Sequence, residues 1–332
     1  MKRIITLFLT LALTLSLAAC AAPGEKADDG RLQIVATLFP YYDFARAIAG
    51  DRADVTLLLS PGREAHSFEP TPLDAVTISE ADVFLYNGGE GEYWVEEMLD
   101  AAGEHIAVKA RMMDYVDPLG EEFSEGMQGA DEHGHDHDHD DHDHDHEEDE
   151  HDSDEIEYDE HIWTSPKNAA ILCRAVCEAI CKADPANEDF YRANCDDYCA
   201  QIEALDARFA DLCESAPRKL LVFADRFPML YFCREYGLDY RAAFHGCSGD
   251  TEPSLATIKF LIDKVEDENI PVVYTIDFGT KKVAAVVSEC TGAAIETIYS
   301  MQTVSRTDFD AGETYLTLME RNFEALRKGL NE

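Results

Sequence analysis

Short apolar runs alternate along this chain with stretches whose apolar residues recur every third or fourth position, the signature of strands interleaved with amphipathic helices. In the first half, residues 32–38, 55–59, 82–86 and 106–108 read as strands. Helices are predicted over 41–49, where Gly50 ends the pattern, and over 73–79 and 93–101. A polar stretch follows, then a helix over 168–181 and a long one over 186–214, with Tyr198, Ile202, Leu205, Phe209 and Leu212 forming its apolar stripe. The second half repeats the theme: strands at 219–223, 239–244, 272–276 and 294–298, a helix marked by Ile258, Leu261, Ile262 and Val265, and a final helix over 312–328. Such alternation predicts an α/β protein with mainly parallel sheets flanked by helices. The simplest arrangement is two lobes joined by one long helix. The N-terminal lobe takes residues 31–167, including a loop at 121–157; the helices, with linker 186–214, take 168–215; the C-terminal lobe takes 216–332. Ligands of open α/β sheets bind beyond the carboxyl ends of strands, so a site is expected in the cleft between lobes.

Composition changes the picture at the N-terminus and in the middle. Lys2 and Arg3 precede an apolar stretch over 4–17 and L-A-A-C ending at Cys20, the form of a secretory signal over residues 1–19. That ending resembles a bacterial lipobox, which implies cleavage before Cys20, lipidation of its thiol and a tether over 20–30. The 46% apolar content belongs to a globular chain, and the formal charge of -41 excludes nucleic acid as a partner. No Lys or Arg occurs between Arg111 and Lys167. Within that interval His133, His135, His137, His139, His142, His144, His146 and His151 lie among carboxylates, a composition that collects divalent cations without fixing a geometry.

Two isolated histidines flank this tract. His66 lies in S-P-G-R-E-A-H-S-F-E-P-T-P, after a strand; His161 lies in D-E-H-I-W-T-S-P, before a helix. Of the ten cysteines, Cys173, Cys177 and Cys181 share one helical spacing and Cys195 and Cys199 another. They read as small apolar residues on buried faces, with disulfides between neighbouring helices as the alternative.

The motifs P-G-x-x-x-H-x-F-E-P and D-x-H-x-W-x-S-P, followed by Y-G-L-D-Y at 236–240, T-E-P-S at 251–254 and G-E-T-Y-L-T-L-M-E-R-N at 312–322, resemble the metal-binding lipoproteins of ABC transporters. This is the cluster of solute-binding proteins that contains the high-affinity zinc uptake proteins. The resemblance implies metal ligands at His66 and His161, zinc as cargo with manganese as the alternative, and delivery to an ABC permease and its ATPase subunit. It also implies an extracytoplasmic monomer anchored to the membrane by lipid, and no catalysis. At the family's third ligand position this chain has Ala224, and near 298–302 no strong zinc ligand stands. His245 and Asp225 are therefore the expected replacements, ahead of Glu252, Asp277 and Cys247, with Glu64 and Glu69 as outer partners of His66. The competing reading is a metal buffer or adhesin outside the membrane with no transport role. A zinc hydrolase is disfavoured, because H-E-x-x-H and comparable helical pairs are absent from the sequence.

Overall fold

A computed structural model describes residues 30–63, 68–102, 106–128, 157–248 and 252–331. The first sheet is built from β1 (Leu32–Ala36), β2 (Ala53–Leu57), β3 (Val83–Tyr86) and β4 (Val108–Arg111), all parallel and in the order β2-β1-β3-β4. Between them run α1 (Phe39–Ala49), α2 (Pro72–Ser79) and α3 (Trp94–Ala102). Next come α4 (Pro166–Ala183) and α5 (Glu188–Ser215), the latter 28 residues long. The second sheet contains β5 (Leu220–Phe227), β6 (Asp239–His245), β7 (Val272–Ile276) and β8 (Ala294–Ile298), again parallel, in the order β6-β5-β7-β8. Its helices are α6 (Leu230–Tyr236), α7 (Leu255–Asp267), α8 (Lys282–Thr291), α9 (Arg306–Ala311) and α10 (Tyr315–Asn331). The two sheets thus share one winding, and in each the order reverses beside its first strand. Such a reversal opens a crevice at the strands' carboxyl ends.

Local chemistry sets the helix starts. Thr71 and Asp74 form a reciprocal capping box ahead of Pro72, and Ser165 caps α4 with Pro166 in the first turn. The α5 stripe of Tyr191, Cys195, Tyr198, Ile202, Leu205, Phe209 and Leu212 is buried, and α5 packs on α1, α4, α6 and α10. One apolar core runs from Ile34 and Phe84 in the first sheet through this stripe to Phe223 and Tyr274 in the second. A smaller core lies between the second sheet and α7 and α8.

Three expectations change. Helices α6, α8 and α9 were not legible from periodicity. β5 runs on to Phe227, with an irregularity between Phe223 and Arg226. The polar stretch from 121 is not wholly a loop of the first lobe, because residues 121–128 dock on the second. Glu122 pairs with Arg234, Glu125 with Arg241 at 3.5 Å, and the Gln128 N–H donates to the Ala243 carbonyl at 3.0 Å along the edge of β6. Gly126, at φ +77°, lies against the Phe260 ring so closely that a Cβ would collide with it. A short antiparallel bridge, Gly120 with Tyr158, closes the base of this excursion, and the Glu121 N–H donates to the Glu157 carbonyl at 2.8 Å.

Candidate functional site

The motif around His161 folds as a unit. The Asp159 Oδ1 accepts the His161 backbone N–H at 2.8 Å and stands 3.3 Å from the ring Nδ1, so one carboxylate sets both the turn and the imidazole. The Tyr231 hydroxyl in turn donates to the Asp159 carbonyl at 2.9 Å. Trp163 lies beside the imidazole, ring centres 5.7 Å apart, and its Nε1–H donates to the Ser300 carbonyl at 2.8 Å. Ser165 and Pro166 then start α4. Each lettered position of D-x-H-x-W-x-S-P has a mechanical role.

His161 is 2% exposed. Burial alone would lower its proton affinity, but the carboxylates of Asp159, Glu121 and Glu160 outweigh that and raise its pKa. Glu160 is itself buried; its Oε1 accepts the Gly91 N–H at 2.7 Å, and its pKa is raised by burial. Side chains at Gly89 and Gly91 would strike Glu160, so glycines let the backbone approach it. Glu92, next along, is pushed up to about 7 by burial, while its Oε2 accepts the Gly88 N–H at 2.8 Å.

Two small cavities meet here. One, of about 10 Å³, is lined by His161 and by Arg226, Pro228, Ile276, Phe278 and Gln302 at the carboxyl ends of the second sheet. The other, of about 20 Å³, has Gln302 in common and is lined from the first lobe by Thr37, Leu59, Phe68, Glu92 and Glu160. Each has room for about one water-sized body. A monatomic cation fits such spaces, and an organic solute does not.

His66 lies outside the described residues, as do the eight histidines of the acidic tract, Cys20 and Glu64. Leu59 and Phe68, on either side of the His66 segment, line the second cavity with Glu160. His245 ends β6, and its Nδ1 is 3.5 Å from Glu121 Oε2. Its ring stacks obliquely on Phe123, and Glu121 raises its pKa. Glu121 also accepts the Cys247 N–H at 3.2 Å; burial works against its charge, but the side chains of His245 and Cys247 hold its pKa low. Glu121 carries the field of both His161 and His245, so the two rings share one carboxylate neighbourhood without lining the same cavity.

Asp225 does not join them. Its Oδ2 accepts from the Thr275 hydroxyl at 2.6 Å and the Ile276 N–H at 3.3 Å, and Gly279 packs so closely on it that a Cβ would clash. It is a structural acceptor tying β5 to the β7 turn, and Arg226, the next residue, lines the cavity instead. Sequence reasoning missed Glu121, Glu160, Gln302 and the orienting part of Asp159. Only Asp159 carried a signal, its fixed spacing to His161.

Residues 34–329 match the family described as zinc-uptake complex component A, periplasmic (ZnuA). The high-affinity zinc uptake system protein ZnuA of Bacillus subtilis is 32% identical over 328 residues, covering 98% of this chain and 97% of that protein. The zinc-binding lipoprotein AdcA of Streptococcus pneumoniae is 30% identical over 99% of this chain, which spans 61% of that longer protein. Among solved structures, the Zn(II)-bound ZnuA-like domain of Streptococcus pneumoniae AdcA matches with a TM-score of 0.71 at 26% identity, over 91% of this chain and all of that domain. The metal-dependent lipoprotein YcdH of Bacillus subtilis matches at 0.72 and 28% identity, over 90% of this chain and 99% of that one. With its paired parallel sheets, the long helix between them and a buried, carboxylate-oriented histidine at their junction, the chain belongs to the ZnuA family of zinc-uptake binding components.

Proposed function

We propose that this chain captures zinc outside the cytoplasmic membrane and delivers it to an ABC permease and its ATPase subunit, as a monomer anchored through lipid on Cys20. Its role is binding and not catalysis, in keeping with its family. The observation that carries this reading is the His161–Asp159 pair, buried beside a cavity of about 10 Å³. A carboxylate facing one ring nitrogen orients the imidazole, fixes its tautomer and makes it a more basic ligand. The carboxylates that raise the affinity of His161 for a proton equally favour a dication in the proton's place.

In this reading His66 and His161 supply two nitrogens. His245, in the same carboxylate neighbourhood, supplies the third, with Glu121 orienting its ring, and Asp225 stays structural. Three imidazoles favour zinc over manganese, which prefers oxygen. The acidic, histidine-rich tract is an accessory collector outside the principal site.

The test is a competitive titration of the full chain with zinc against a chromophoric chelator. Wild type is expected to bind one zinc tightly, and still to do so when residues 129–156 are deleted. His66→Ala and His161→Ala should each abolish the tight phase, and His245→Ala should weaken it. Tight binding that survives His161→Ala would refute the reading, as would its loss on deletion of the tract alone.

A further inference from the structure

Five cysteines that line neither cleft cavity converge on one helix interface. Cys173, Cys177 and Cys181 recur every fourth residue on α4, and Cys195 and Cys199 do so on α5. The two helices are joined only by a short turn at 184–187, so they pack as a hairpin and their cysteine faces meet. All five residues are buried and form no disulfide. The sulfurs of Cys173, Cys195 and Cys199 all lie within 4.8 Å of one another, and among the described residues no other three histidine, cysteine or carboxylate donors do so. From there the sulfurs continue outward. Cys195 Sγ is 3.8 Å from Cys199 Sγ, and Cys177 Sγ is 3.9 Å from Cys181 Sγ in the last turn of α4.

We propose that Cys173, Cys195 and Cys199 form a second, sulfur-only metal site that takes a soft monovalent d10 cation, copper(I), in a trigonal set. The donor chemistry selects the ion. Thiolate sulfur prefers copper(I), zinc and iron–sulfur centres and rejects magnesium, calcium and manganese. A zinc site closes with four ligands, whereas three mutually adjacent sulfurs complete copper(I) without a water in this apolar interface. The Cys195 thiol donates to the Cys173 carbonyl at 3.9 Å and the Cys199 thiol to the Ala170 carbonyl at 3.8 Å, so the backbone of α4 holds both sulfurs in place. Binding releases the three S–H protons to solvent as three Cu–S bonds form, with no change of oxidation state. Cys181 and Cys177 offer the ion a ligand-exchange path from the helix end, since a buried site needs an entry route.

The experiment uses the full chain, kept anaerobic with a phosphine reductant and titrated with copper(I) bicinchoninate. One copper(I) should leave the chelator for the protein, with sulfur-to-copper charge-transfer absorption and an X-ray absorption spectrum showing three sulfur neighbours. Copper should also shield Cys173, Cys195 and Cys199 from alkylation, read by peptide mass spectrometry, a measurement that needs no variant. Cys195→Ala with Cys199→Ala should remove the sulfur shell while zinc binding and far-UV dichroism are retained. A nitrogen-dominated shell, a four-sulfur zinc site in place of copper, an α4–α5 disulfide in protein purified without reductant, or thiols that ignore copper altogether would each overturn the proposal.

Discussion

At the scale of single residues, the carboxylates around the cleft do different work, and substitution separates them. Asp159→Asn keeps the shape but removes the charge facing His161, so zinc affinity is expected to fall about 10- to 100-fold, measured by chelator competition, with the fold intact. Glu92 concerns stability. Its folded pKa of about 7 lies above the ordinary value of 4.5, so the folded state holds a proton that the unfolded state has lost between those limits. Stability of the zinc-free protein should therefore fall as pH rises from about 4.5 through 7, by roughly 3 kcal/mol for this group. Glu92→Gln cannot ionise. It should match wild type near pH 4.5 and exceed it at pH 8 in urea unfolding. His161 was legible because its motif places Asp, His, Trp and Ser at fixed steps. Glu121 and Glu160 were not, because a carboxylate inside an acidic stretch looks solvated until tertiary contacts bury it.

At the scale of elements, the most informative departure from sequence reading is the strap at 121–128. Its polar composition resembles the tract that follows, yet it covers the edge of β6 through main-chain hydrogen bonding at Gln128 and ion pairs at Glu122 and Glu125. An open strand edge invites pairing with other chains, and this strap occupies it. Deleting 129–156 should leave the melting temperature nearly unchanged, whereas deleting 121–157 should lower it and promote self-association, by calorimetry and light scattering. The missed helices have equally local causes. The seven-residue α6 is an apolar run too short to show a period, and α8 starts from Lys281 in the left-handed region, with none of the usual capping residues. The strands of the second sheet were legible because central parallel strands are covered on both faces and so run mostly apolar, as β7 is buried at every position.

At the scale of the whole molecule, the two sheets are not independent bodies. Their main core is continuous through α1, α5 and α10, and buried Asp43 on α1 binds this junction: it accepts from the Tyr198 hydroxyl at 2.5 Å and the Tyr315 N–H at 2.8 Å. Asp43→Ala leaves both donors unpaired and should cost roughly 2–3 kcal/mol of stability. Urea unfolding should show one transition, with β1 and β7 amides losing hydrogen-exchange protection together, which two separable lobes would not do. Trp163 spans the same junction, with its imidazole neighbour on one side and the carbonyl of Ser300 on the other. An indole so placed is a built-in optical reporter. Its emission should respond within the mixing time of a stopped-flow instrument when an ion displaces the proton on the adjacent ring, so the rates of loading and release can be followed in the unlabelled protein, with a Trp94→Phe variant isolating the Trp163 signal.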